Sequence, residues 1–262
     1  VLKNVGLDPK RVKLIRHSIA DKEFNKCYKK NMVLEYTRVQ SSKFSNGYDY
    51  WCVFMDDKWS IKGPMELDGE WGKKFSRAFN ILYKLNNLNP CNINQKNLIL
   101  KELFGEIGEK SEVLMPFHCN IGTNIKLGKG VFINQNCVFL DTDTIEIGDY
   151  TMLAPGVNII CADHPVSTHE RILPIDDDLE DEDYSYIDEN GNFDETIDYT
   201  FVNTKKPVKI GKRSWIGVNS IILPGVTIED NVVIGAGSVV TSDIPSNTVA
   251  VGSPARVIRK SI

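Results

Sequence analysis

From Ile210 an aliphatic residue returns at every sixth position, Ile210, Ile216, Ile222, Ile228, Ile234 and Val240, and small or β-branched residues recur four places later, at Ser214, Ser220, Val226, Val232 and Ser238. An earlier block keeps this period through Ile121, Leu127, Ile133 and Phe139, jumps two residues and resumes at Ile147. A period of six sustained over most of 111–250 predicts a parallel β-helix: each hexad is one flat side of a triangular coil, and three make a turn. The aliphatic residue points inward and stacks on its counterpart one turn away, about 4.8 Å distant. Gly, Asn and Asp in the following positions suit the corners, where a left-handed backbone costs them little. The hexads do not fix the hand of the coil.

Upstream the period changes. Between Gly69 and Gly105, Phe75, Phe79, Leu82 and Leu85 recur at three- and four-residue steps, and Ile99, Leu100, Leu103 and Phe104 do so in a second segment, 94–104. Two short helices are therefore expected within a lead-in of 63–110. Residues 1–62 read as a small α+β extension. "RVKLIRHSI" alternates like a strand, "DKEFNKCYKKNMVLEYTRVQ" has helical spacing, and "YDYWCVFM" is an aromatic, β-prone run. Gly63 and Pro64 close it, and residues 251–262 form a C-terminal tail.

Composition narrows the classes. The 262 residues are 42% hydrophobic and 25% charged with a net charge of −4. No run approaches the roughly 20 apolar residues of a membrane span, and no basic-then-apolar leader opens the chain, so a cytoplasmic protein is expected. Six cysteines without a CxxC pair argue against zinc ribbons and for free thiols. The charge is uneven: twelve Asp or Glu and no Lys or Arg lie between Arg171 and Lys205, whereas the first 60 residues carry twelve Lys or Arg against seven Asp or Glu. That basic excess is too diffuse for a nucleic-acid footprint.

The hexads stop at "CADHPVSTHE", residues 161–170, which holds two of the four histidines, His164 and His169. The surrounding motifs are "RAFNILYKLN", "MPFHCNIGTNI", "INQNCVFLD", "IGDYTMLAPGVNIICADHP", "KPVKIGKRSWIGVNSIILPGVTI" and "GAGSVVTSDIPSNTVAVGSPARVIR". Together they resemble the hexapeptide-repeat acyltransferases of the maltose and galactoside O-acetyltransferase group, over about 200 residues. The resemblance implies a mainly β protein with a left-handed parallel β-helix. It also implies a homotrimer with sites between neighbouring coils, and acetyl-CoA as the acetyl donor.

Residue roles follow from the same resemblance. His164 falls on the family's catalytic histidine, Asn134 on an asparagine near the acceptor and reacting centre, and Asp141 in the matching acidic corner. Trp215 matches the tryptophan of the "WIG" hexad near the pantetheine channel. Ala236 and Thr241 fall where acetyl-CoA is met, and Arg256 and Arg259 on basic residues near its phosphates. Ser242 departs from the family, standing where a lysine is usual; a gapless reading puts Glu66 where an acceptor-binding acid is expected and Phe75 where an arginine is expected. The chemistry needs a base because an alcohol is a weak nucleophile, and an imidazole can take its proton at neutral pH.

The His164–His169 pair also has the look of a metal clip with Asp163 and Glu170, but a Pro-containing loop fixes no common face, and no metal is expected. The acidic run, inserted at about 165–206, is longer than the family's. "ENGN" is expected to turn a hairpin there, and Tyr184, Tyr186 and Phe193 are candidates to stack on a sugar. Its charge favours a neutral or amino sugar. The remaining readings are another acceptor, such as an antibiotic or a sugar amine, a zinc-dependent hydratase on the same coil, and a non-catalytic trimeric scaffold.

Overall fold

The computed structural model describes residues 37–40, 49–55, 58–62, 70–174, 186–188, 190–194, 196 and 199–261, with side chains from Trp71 onward. Glu66, Tyr184, His17 and the expected "RVKLIRHSI" strand lie outside the described residues. The chain divides into two compact units, Val1–Lys73 with His164–Thr204, and Lys74–Asp163 with Lys205–Ile262.

The second unit is a parallel β-helix. Its first sheet stacks Glu106–Ile107, Ile125–Leu127, Ile145–Ile147, Val208–Ile210 and Thr227–Ile228. The second stacks Glu112–Val113, Phe132–Ile133, Met152–Leu153, Trp215–Ile216, Val233–Ile234 and Thr248–Gly252, with Ala255–Lys260 folded back antiparallel on its edge. The third stacks Phe117–Cys119, Cys137–Leu140, Asn158–Ile160, Ile221–Ile222 and Val239–Val240. The aliphatic residues of the hexads are buried, and so are Ser214, Ser220 and Ser238 at the corners. Each of these hydroxyls finds a backbone carbonyl: Ser214 Oγ donates to Glu229 O, and Ser220 and Ser238 to Gly235 O. A buried hydroxyl is cheap only when it is paired in this way.

The inward residues run in six-residue steps, as in Leu127, Ile133 and Phe139, then Ile147, Leu153 and Ile159, then Ile210, Ile216 and Ile222. Every departure from six falls at one corner, between the third sheet and the first. The step is eight residues from Phe139 to Ile147, fifty-one from Ile159 to Ile210, and six again from Ile222 to Ile228. The strand register survives each, since Ile147 pairs with both Leu127 and Ile210.

Two helices lead in, α1 (Glu70–Asn86) and α2 (Ile93–Leu103), the latter capped by Asn92, whose side chain accepts from the Gln95 amide. The buried stripe of α1 is Phe75, Ala78, Ile81, Leu82 and Leu85, whereas Phe79, expected to be buried, is 52% exposed. Three- and four-residue spacing fits the edge of a stripe as well as its centre, and here Phe79 lies beyond that edge. Lys96 of α2 is buried, with Nζ 3.0 Å from Glu112.

In the first unit five strands pair antiparallel in the order Thr37–Gln40, Asp49–Met55, Lys58–Lys62, Tyr199–Lys205, Ile172–Pro174. The aromatic run is a strand, as expected. Thr37–Gln40, read as the end of a helix, is a strand as well, because its β-prone Thr and Val find a ladder partner in 49–52. The sheet also unites what the sequence keeps apart, since the N-terminal extension and the acidic insertion contribute to the same ladder. Among the described residues no helix is long and apolar enough to cross a membrane.

Candidate functional site

His164 is the residue after the strand Ala162–Asp163, at the start of the fifty-one-residue corner, and it is exposed. Its Nδ1 lies 2.9 Å from the carbonyl oxygen of Val202. A carbonyl can only accept, so Nδ1 carries the hydrogen, and in the neutral ring Nε2 keeps a lone pair. That tautomer is the one a proton acceptor needs. The next residues are pinned from one side: Arg171, at the end of the short helix α3 (Thr168–Arg171), donates to the carbonyls of Pro165 and Val166 at 3.0 and 2.8 Å. Sequence reading passed over Arg171; its only signal is a lone basic residue closing a turn of helix beside the His-Pro pair.

His169 belongs to a different cluster. Its ring meets that of Tyr186 edge-on at 6.0 Å, Tyr186 in turn lies 6.0 Å from Tyr199, and Phe193 lies 5.0 Å from Tyr199. The expected hairpin is there: Ile187 bridges Phe193 antiparallel and the Asp188 amide donates to Asn192 O. Asp188 sits under the turn, accepting from the Asn190 and Asn192 amides and from Asn192 Nδ2, which hold its carboxyl below the usual range. The Tyr186 and Phe193 rings, candidates for stacking on a sugar, are thus engaged with protein aromatics. Among the described residues no three His, Cys, Asp or Glu side chains converge where a metal ion could sit.

In the coil, Trp215 is 51% exposed on the outer face of the second sheet, in line with Met152 and Val233. Arg256 and Arg259 lie on the strand that closes the same sheet, opposite Val251 and Val249, across an irregularity at Val249/Ala250. Residues three apart on a regular strand point to opposite sides, but their partners here are two apart, so the bulge brings both arginines to one face. Val249 itself pairs with Val233, so this is the face that carries Trp215. Ala236 is exposed at the corner leading to the third sheet, where Gly237 takes a φ of 68° and its amide donates to Val218 O. Thr241 is exposed just past the third sheet. Two guanidinium groups on the same face as an exposed indole, three strands along the sheet from it, suit a long ligand with phosphates at one end and an apolar arm.

Asn134 is half-buried where the second sheet turns to the third, and its Oδ1 accepts from the Gln135 amide. Asp141 is completely buried in the eight-residue corner, with its carboxylate on the amides of Asn120, Ile121 and Gly122. Burial outweighs these donors and pushes its pKa up to about 6. Phe75 is buried, its ring 5.9 Å from Phe79. A cleft of about 380 Å³ opens between α1 and the third sheet, with Tyr83, Asn86, His118 and Asn120 above an apolar floor of Val138 and Leu140. Among the described residues that line it there is no Asp, Glu, Lys or Arg.

The parallel β-helix of six-residue repeats defines a class, the hexapeptide-repeat acyltransferases. The repeat family described as hexapeptide repeat of succinyl-transferase matches residues 207–242. Galactoside O-acetyltransferase of Escherichia coli strain K12 is 37% identical over 188 residues, 72% of this chain and 79% of that protein. Among solved structures, a maltose O-acetyltransferase from Clostridium difficile 630 is 40% identical with a TM-score of 0.60, covering 72% of this chain and 87% of that one. A galactoside acetyltransferase in complex with coenzyme A is 35% identical with a TM-score of 0.60, covering 72% and 82%. The chain belongs to the maltose and galactoside O-acetyltransferase group of hexapeptide-repeat enzymes, and it is an acyltransferase.

Proposed function

We propose that this enzyme transfers the acetyl group of acetyl-CoA to a hydroxyl of a neutral sugar or glycan by direct attack, with His164 as general base. The observation that carries the reading is the 2.9 Å contact of His164 Nδ1 with Val202 O, which leaves Nε2 as the proton acceptor. As the hydroxyl oxygen attacks the thioester carbonyl, its proton passes to Nε2. The tetrahedral intermediate collapses with loss of the coenzyme thiolate, which takes the proton back from the imidazolium. The Val202 carbonyl stays paired with Nδ1–H in both protonation states and so stabilises the imidazolium as it forms. Arg256 and Arg259 would bind the nucleotide phosphates, Trp215 would line the pantetheine arm, and Ala236 and Thr241 would flank it. Asn134 would orient the reacting groups. The neutral cleft favours an uncharged acceptor with several hydroxyls, because amide, imidazole and phenol groups over an apolar floor match a sugar's alternation of hydroxyls and C–H faces.

A trimer is part of the same reading. The outer row of the first sheet is charged, with Glu106, Lys126, Glu146 and Lys209 in register and Lys126 Nζ 3.3 Å from Glu146. The outer rows of the other two sheets carry more apolar residues, with Phe132, Met152, Trp215 and Val233 beside Glu112 on one and Val138, Ile221 and Val239 beside His118 and Asn158 on the other. One charged face and two mixed ones with exposed apolar residues suit cyclic assembly, in which each coil offers a different face to each neighbour.

The test is thiol release from acetyl-CoA across a panel of neutral sugars for the wild type and His164→Gln. The variant is expected to lose about 10²- to 10⁴-fold in kcat, with the KM for acetyl-CoA within about threefold. Full activity in the variant defeats the mechanism, and a single-chain mass in sedimentation equilibrium defeats the trimer.

A further inference from the structure

We infer that the N-terminal extension, through strand Lys58–Lys62, is a positioning element for the base: it clamps the strand whose Val202 carbonyl holds His164. The inference rests on the reading of His164 as base. Its observation is a register. Tyr199–Lys205 runs antiparallel to Lys58–Lys62 with Phe201 opposite Ile61, Val202 opposite Ser60, Asn203 opposite Trp59 and Thr204 opposite Lys58.

In an antiparallel strand the N–H and C=O of one residue point to the same side, and successive residues alternate sides. The Val202 carbonyl is taken by His164 Nδ1, so the polar groups of Val202 face away from Lys58–Lys62. Val202 and Ser60 are then a non-hydrogen-bonded pair. By the same alternation Phe201 and Asn203 exchange the ladder hydrogen bonds with Ile61 and Trp59. The carbonyl that fixes the imidazole is held by bonded pairs on either side of it.

Ile172–Pro174 pairs with Tyr199–Phe201, and the pairing with 58–62 spans Phe201 through Thr204, the stretch that contains Val202. The strand also returns from the acidic insertion, and the extension that meets it is the basic part of the chain, with twelve Lys or Arg in the first 60 residues.

The experiment uses the full chain with Trp59→Pro and Ile61→Pro combined, which removes the two amides that the ladder needs and leaves the residues of the coil untouched. Nitrogen-15 spectra of labelled histidine report which ring nitrogen of His164 carries the hydrogen, with the His164→Gln spectrum identifying its signals. The expected result is a fall in kcat of tenfold or more, an acetyl-CoA KM within about twofold, and loss of the pure Nδ1–H tautomer. Unchanged kcat with the wild-type tautomer overturns the inference. Amide exchange of the wild type decides the matter without a variant, should the double proline chain not fold: Phe201, Asn203, Ile61 and Trp59 should be protected well beyond free-chain rates, and free-chain exchange at these four overturns it. An inactive His164→Gln beside a fully active proline variant rejects this inference alone, whereas an active His164→Gln rejects the mechanism on which it rests.

Discussion

Asp141 Oδ2 accepts the amide of Gly122 at 2.7 Å while Oδ1 takes those of Asn120 and Ile121, so one buried carboxylate staples two consecutive eight-residue corners of the coil. Its pKa, raised by burial to about 6, makes a prediction with a definite sign. Between about pH 4 and 6 the native state keeps a proton that the unfolded chain has released, so this group's contribution to stability falls as pH rises through that window and is flat above it. The shift corresponds to roughly 3 kcal/mol. Urea midpoints measured from pH 4 to 7 should show the fall in the wild type and not in Asp141→Asn; parallel curves would disprove the assignment.

The partner glycine gives a second prediction. Gly122 has a φ of 80°, and a Cβ there would lie 2.6 Å from the carbonyl oxygen of Leu103, the last residue of α2. Gly122→Ala meets both backbone strain and a backbone clash, so a loss of about 2 kcal/mol or more is expected. A thermal melt within 1 °C of the wild type would show that the corner relaxes freely.

Arg171 should act through the loop it ties. Arg171→Ala removes the donors to Pro165 O and Val166 O beside His164. The expected outcome is a fall in kcat of about tenfold, since small misplacements of a reacting group are costly. The acetyl-CoA KM should stay put and Arg171→Lys should rescue only partly, and steady-state kinetics of the two variants separates this from a general loss of fold.

Arg256→Ala and Arg259→Ala should each raise the KM for acetyl-CoA about 5- to 20-fold with kcat unchanged, because charge-assisted contacts to phosphate contribute about 1–2 kcal/mol. Added salt should raise the wild-type KM and narrow the gap to the variants. A KM that responds to neither substitution nor salt places the phosphates elsewhere.

Much of the coil was legible because its period is local: Ile210, Ile216 and Ile222 announce themselves from composition and spacing alone. The two-residue jump before Ile147 was visible too, although what it accommodates, a carboxylate reaching back some twenty residues to Gly122, was not. His164 stood out as a motif, whereas its partner Val202 lies 38 residues on, beyond the acidic run, and offers only a backbone atom that no side-chain pattern marks. The pairing of Ser60 with Val202 was less visible still. Ladder partners distant in sequence are chosen by tertiary packing, to which single-segment propensities are blind. Phe79 failed for a related reason: spacing defines a stripe but not which neighbours cover its edge.

The corner between the third sheet and the first behaves like an open reading frame in the scaffold. Six residues suffice there, eight are tolerated, and fifty-one are absorbed, yet Ile210 still stacks on Ile147. Chemistry and frame are therefore separately editable. A lineage, or a designer, can lengthen or replace the segment beyond His164 while the ladder below keeps count.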